Sequence, residues 1–219
     1  MRSDGLRYSA RMEIKLSEAL PEKVPLPLYG AAKIGTARGT IVNPAEEFDI
    51  YLGLAQGMVT KLKMLSLNRG DEALQENTSD YERFGKGSYE DWYSKSRVPF
   101  ALIHRNSGAL AALVWFGPKP FGRKSLKHLS AEELAKEYKV ESGDWHTTVF
   151  RSYPPFRGTG VMKDFARTAT DVYLKYFPHA KLWAGIGRSN AASVALSEKL
   201  GYKIVESASD SKWVGMVKS

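Results

Sequence analysis

Apolar positions along the chain fall into two regimes that meet near Val98. Beyond that point the pattern is regular. Val98 to His104 and Ala109 to Phe116 read as strands, joined by Arg105-Asn106-Ser107-Gly108 into a hairpin. Trp145 to Tyr153 alternates as a strand does, and Pro154-Pro155 ends it. Helical spacing then runs from about Gly160 to Phe177, followed by a strand from Lys181 to Ile186 and a helix from about Asn190 to Lys199. Terminal strands are predicted around Tyr202 to Glu206 and Lys212 to Val217. Strand, helix, strand, helix, strand implies a mixed α/β sheet with right-handed crossovers.

The first half is less regular. Pro21, Pro25 and Pro27 break any long helix, so residues 1–40 are expected to form an irregular extension, with a short strand from Arg38 to Val42. From Glu46 to Asn68, the positions Phe48, Tyr51, Leu52, Leu54, Ala55, Met58, Val59, Leu62 and Leu65 follow helical spacing, which predicts one helix kinked at Gly53 and Gly57 or two short ones. Arg69 to Ser88 reads as a polar loop with a helical turn, of the kind that often binds ligands. Ser88-Tyr89-Glu90-Asp91-Trp92 has the form of a capped short helix, and Ser130-Ala131-Glu132-Glu133 has capping-box spacing.

Composition narrows the classes. With 219 residues and 43% hydrophobic content, one domain spanning 1–219 is the expectation, and its core can bury roughly 70% of the unfolded surface. The chain has no Cys, which removes disulfides, cysteine–metal sites and a cysteine nucleophile. His104, His128, His146 and His179 lack ligand spacing, so no metal is expected. No apolar run reaches the ~20 residues that span a bilayer, and a soluble cytoplasmic protein is expected, with no membrane partner. The formal charge of +8 is spread along the chain without a run of like charge, so it fits an anionic cofactor better than a nucleic-acid stripe.

The candidate chemistry centres on Arg157-Gly158-Thr159-Gly160-Val161-Met162, a glycine-spaced turn opening a helix. Glycines at 158 and 160 let backbone approach a pyrophosphate. Amides from about Gly158 to Met162 can donate to its oxygens, the helix dipole faces it, and Arg157 adds a positive charge. Taken alone, the motif is equally a flexible turn before a helix.

A second motif lies downstream: Asn190-Ala-Ala-Ser193-Val-Ala-Leu196-Ser197-Glu198-Lys199-Leu200-Gly201-Tyr202. Tyr153-Pro-Pro-Phe-Arg157-Gly-Thr-Gly160-Val-Met162 resembles the acyl-CoA-binding motif of the GNAT N-acetyltransferase superfamily, Gln/Arg-x-x-Gly-x-Gly/Ala. The Asn190 stretch resembles that family's following motif, in the family's order and separation. The resemblance covers Val98 to Val217, and Met162 departs from the small residue usual at the last motif position.

The resemblance implies a GNAT-like fold: a mostly antiparallel twisted sheet, splayed at the two cofactor strands and flanked by helices. It implies acetyl-CoA as cosubstrate, bound by Arg157, Gly158, Thr159, Gly160, Val161 and Met162. The strand through Phe150 and Ser152 would bond the pantetheine arm, and Asn190 would hold cofactor amides or simply cap its helix. The base in the family is commonly a carboxylate near the start of that strand. His146 occupies about that place and is the expected general base, with Asp144 and Glu141 as alternatives and a water-exposed strand-end histidine as the non-catalytic reading. Many members have a Tyr seven residues after the motif Asn. Here that position is Ser197, with Tyr153 and Tyr202 as substitutes, although Tyr202 suits the core. Water, or the proton released by the amine, is the remaining route to the thiolate.

The acceptor region carries no motif. Tyr81, Phe84, Tyr89, Trp92, Tyr93 and Trp115 offer an aromatic wall or core packing, and Glu76, Asp80, Glu82, Glu90 and Asp91 offer acidic groups or a solvated face. The implied activity is transfer of an acetyl group from acetyl-CoA to a primary amine of a small molecule, in a ternary complex. The alternatives are acetylation of a protein N-terminus or lysine, and an acyl-CoA-binding module without efficient turnover. A homodimer is compatible with the resemblance.

Overall fold

The computed structural model describes residues 11–17, 20–24, 30–41, 45–123 and 142–219. Nine strands form one sheet: β1 (Met12–Leu16), β2 (Ala32–Thr40), β3 (Ala45–Leu52), β4 (Val98–His104), β5 (Leu110–Pro118), β6 (Trp145–Ser152), β7 (Lys181–Gly187), β8 (Tyr202–Val205) and β9 (Trp213–Lys218). Their spatial order is β1-β2-β3-β4-β5-β6-β7-β9-β8. Every adjacent pair is antiparallel except β6 with β7. A mixed, mostly antiparallel sheet flanked by helices is therefore what forms.

Among the described residues, the helical elements are α1 (Gln56–Leu67), α2 (Glu72–Asn77), a π-helical turn Tyr81–Lys86, α3 (Tyr89–Tyr93), α4 (Val161–Tyr176), α5 (Ala191–Lys199) and a 3-10 turn Glu206–Ala208. α4 lies on one face of the sheet, where Tyr173 stacks on Phe116 of β5 with ring centroids 4.3 Å apart. The π-helical turn and α3 lie on the other face, where Phe84 and Trp92 meet Trp115 edge-on at 5.9 and 5.4 Å. Because Trp115 and Phe116 are successive residues of one strand, their opposite directions define the two faces. α3 starts where its sequence indicates, with the Ser88 side chain accepting from Asp91 N–H.

The first half corrects three expectations. Residues expected to be irregular contain β1 and most of β2. Ile34, Ala37 and Gly39 are buried there and polar neighbours face outward, a pattern of small residues with a register shift between Lys33 and Gly35. Residues 45–52 form a strand rather than the start of a helix. Phe48, Ile50 and Leu52 are fully buried in alternation, so period two governs, and Gly53 at φ 85° turns the chain toward α1. Helical spacing through Tyr51 was an alias of that alternation. The Arg69–Ser88 stretch, expected to be a polar loop with one helical turn, is more helical than that and holds both α2 and the π-helical turn. The capping-box residues Ser130 and Glu133 lie outside the described residues.

Candidate functional site

β6 and β7 pair at only three positions, Trp145 with Lys181, His146 with Leu182 and Thr147 with Trp183. Beyond Thr147 they separate, while β6 stays bonded to β5 and β7 to β9 as far as Ser152 and Gly187. The resulting fork opens toward the C-terminal ends of both strands. At its mouth stand the Arg157–Met162 turn, which opens α4, and Asn190, which opens α5.

Gly160 is the N-cap of α4 at φ 90° and Gly158 has φ 81°, conformations in which a side chain is strained. A Cβ at Gly158 would meet no atom within 4 Å, so the turn faces open space. The amides of Val161 and Met162, first in the helix, have no carbonyl within it to bond. Thr159 is fixed by its hydroxyl donating to Phe156 O at 2.7 Å. Val161 is fully buried and packs toward Gly39 of β2, while Met162 is partly buried against the core. These residues fit an anionic phosphate group through their backbone.

Arg157 departs from its expected role. Its guanidinium donates twice to the Asp71 carboxylate, both at 2.7 Å, and to Ser152 O at 3.0 and 3.2 Å. Asp71 is also the N-cap of α2, accepting from Leu74 N–H at 3.1 Å. The charge expected to face phosphate is thus neutralised by a carboxylate from the helical segment. Arg157 in turn holds the Asp71 carboxyl below its ordinary range.

His146 also departs from expectation. Its side chain points to the α4 face, where Nδ1 lies 2.5 Å from the Tyr173 hydroxyl and the ring sits 5.9 Å from both Tyr173 and Phe177. Burial pulls its pKa down, so the neutral ring is favoured. The ring is half-buried against Tyr173 and Phe177, so it is neither the water-exposed strand-end histidine of the non-catalytic reading nor a base free of other partners.

The three hydroxyls named as acids, Ser197, Tyr153 and Tyr202, are all buried. Ser197 is fully buried and donates to Ser193 O at 2.9 Å, a bond within its own helix. Tyr153 is fully buried on the α1–α3 face, its hydroxyl has no hydrogen-bond partner among the described residues, and burial raises its pKa. Asn190 acts as a cap, its Oδ1 accepting Ser193 N–H at 3.1 Å. Phe150 and Ser152 line β6 beyond the fork point, and Phe150 meets the Tyr202 ring edge-on at 6.3 Å. Tyr202 is buried, as its core reading requires, and donates to Thr148 Oγ1 at 2.8 Å, at the first unpaired position of the fork.

Sequence reasoning missed the buried charge that ties the helical segment to the sheet. Asp80 is fully buried and receives Arg151 at 2.5 and 3.1 Å and Arg83 at 2.6 Å. Burial alone would raise the Asp80 pKa, but the two guanidinia outweigh it and lower it. Arg151 was the available signal: an arginine within a strand of apolar and small polar residues needs a counter-charge. Asp80 is therefore not a free acid for a cationic acceptor, and Phe84, Trp92 and Trp115 form one packed aromatic cluster.

No protein-family model matches the chain, and no curated protein matches it. Solved structures do. An acetyltransferase from Agrobacterium tumefaciens str. C58 is 13% identical with a TM-score of 0.54, over 78% of this chain and 90% of that one. The GNAT domain of PAT from S. lividans is 14% identical with a TM-score of 0.52, over 85% and 95%. Spermidine N-acetyltransferase from Vibrio cholerae, solved in complex with CoA and spermine, is 16% identical with a TM-score of 0.52, over 78% and 94%. At such identities the likeness concerns architecture. The chain has the fold of the GNAT acetyltransferases.

Proposed function

We propose that this protein is an N-acetyltransferase that moves the acetyl group of acetyl-CoA to a primary amine of a small molecule. The observation that carries the reading is the fork between β6 and β7 with the Gly158–Gly160 turn at its mouth. Unpaired β6 backbone from Thr148 to Ser152 suits an extended pantetheine arm, and the turn and first-turn amides of α4 suit its pyrophosphate. The continuous nine-stranded sheet supports treating the chain as one acyltransferase domain. Among the described residues, no helix is long and apolar enough to cross a membrane.

In the transfer, the amine nitrogen forms a bond to the thioester carbon and the carbon–sulfur bond breaks. The nitrogen loses one proton and the departing sulfur gains one. His146 is held on the α4 face and Ser197 bonds within its helix, so this proton passes through water from the amine to the thiolate. The hydrogen bond from the Tyr202 hydroxyl to Thr148 Oγ1 stands at the fork point. Release of free coenzyme A from acetyl-CoA across a panel of primary amines tests the reading. Release above slow hydrolysis with at least one amine supports it. Tight acetyl-CoA binding without release from any amine replaces it with a binding module.

A further inference from the structure

On the α1–α3 face, one strand away from the fork point, lies a guanidinium that no carboxylate of the described residues pairs with. Arg97 precedes β4, and its side chain crosses Gly117 of β5, where a Cβ would fall 2.9 Å from Nη1 and 3.0 Å from Cδ. Glycine at 117 therefore makes room for the arginine. Nη1 donates to Pro118 O at 2.9 Å, and among the described residues no carboxylate pairs with it. Burial, and then the neighbouring Arg83, bring its pKa down to about 10.

Arg97 belongs to a larger positive patch. Arg83 and Arg151 share the single carboxylate of Asp80, and their guanidinia lie 5.6 and 4.9 Å from the centroid of Trp115. Among the described residues, these three guanidinia meet one carboxylate, which leaves an excess of positive charge. Arg97, Arg83 and Arg151 are each half-buried, with 23% and 14% of the last two side chains exposed, so the patch retains contact with solvent. A cation taken partly out of water with no counter-charge is unfavourable unless a ligand supplies one, and a guanidinium matches a carboxylate through paired N–H bonds.

Register places this patch beside the fork. Gly117 pairs with Thr147 of β6, and Thr147 pairs with Trp183 of β7 at the last position before the strands part. Neighbouring strands are about 4.8 Å apart, so the Arg97 seat is within reach of a small molecule whose amine lies at the fork.

We propose that Arg97, backed by Arg83, holds a carboxylate carried beside the reacting amine, so that the acceptor is an amino acid and not a polyamine. This rests on the acetyltransferase reading above. The excess positive charge attracts a carboxylate and repels a polycation such as spermidine.

The test compares free L-amino acids, their carboxamides and spermidine in the coenzyme A release assay, with the native protein, Arg97→Gln and Arg97→Lys. Calorimetric titration of the same amino acids into the protein saturated with coenzyme A reads binding independently of turnover. The expected result is a preference for at least one amino acid over its carboxamide of about 10- to 100-fold in kcat/KM. That preference collapses toward unity in Arg97→Gln, mainly through KM, and is partly restored in Arg97→Lys. Equal use of acid and amide by the native protein, or a preference unchanged in Arg97→Gln, overturns the proposal, as does spermidine being the best acceptor. If no amine is acetylated, the transferase reading fails, while amino-acid binding that is lost in Arg97→Gln still supports the carboxylate seat. Absence of both release and binding overturns the two together.

Discussion

Replacing Asp71 tests whether charge ties the helical segment to the glycine turn. Its side chain is 5% exposed and that of Arg157 33%. Breaking a fully buried pair by removing one partner costs about 3–5 kcal/mol. Here the arginine is a third exposed and keeps its bonds to Ser152 O, so screening reduces the loss to about 1.5–2.5 kcal/mol. Asp71→Asn removes the charge and keeps an oxygen that can cap α2, whereas Asp71→Ala removes the cap as well, for about 1 kcal/mol more. In a chain of this length 1 kcal/mol shifts Tm by roughly 2–4 °C, so Asn lowers Tm by roughly 3–10 °C and Ala by a further 2–4 °C. Thermal unfolding followed by circular dichroism measures both, and Arg157→Ala with the double variant closes the cycle. The acid limb adds a second reading. Asp71 titrates below its ordinary 3.8 when folded, so its stabilisation is present above that pH and is lost as pH falls through the folded value. A coupling under about 0.5 kcal/mol, or equal losses for Asn and Ala, refutes the argument.

Asp80→Ala leaves two guanidinia facing one another without their carboxylate, and stability should fall by about 3–5 kcal/mol; a loss under 1 kcal/mol by chemical denaturation would contradict the network. His146 is held below its ordinary 6.5 by burial, so the unfolded chain binds the extra proton and stability declines as pH falls through 6.5 toward the folded value. His146→Gln should flatten that decline while leaving the pH dependence of kcat/KM in place; a lost catalytic limb would restore the histidine as base. Ser197→Ala removes only a bond to Ser193 O, and turnover should drop far less than the roughly hundredfold or greater loss of a general acid.

The fold was legible where local pattern and tertiary fate agree. From β4 onward each strand and α-helix of the described residues lies within a residue or two of its predicted span, because apolar runs there are bounded by turn residues such as Gly108, Pro154 and Gly201. β1 to β3 were not legible for physical reasons. β2 fills its inner face with Ala37 and Gly39, too small to register as an apolar alternation, and Tyr51 beside Leu52 mimics a helical pair in a strand. The turn at Gly158 and Gly160 was readable because backbone conformation itself demands glycine. The partners of Arg157 and Arg151 were not, because Asp71 and Asp80 stand far upstream in a stretch that reads as polar loop. The face on which His146 lies follows from its pairing with Pro118 and its contact with Tyr173, neither of which a single strand discloses.

The central claim is that acetyl-CoA binds at the fork and its glycine turn, and thermal unfolding with and without acetyl-CoA tests it most directly. At 100 times its dissociation constant the ligand should stabilise the native protein by about 2.7 kcal/mol, a rise of roughly 5–10 °C. In Gly160→Trp, where a side chain is forced into a φ of 90°, the ligand-induced rise should vanish whatever the variant's own Tm. No rise in the native protein, or an equal rise in Gly160→Trp, contradicts the account.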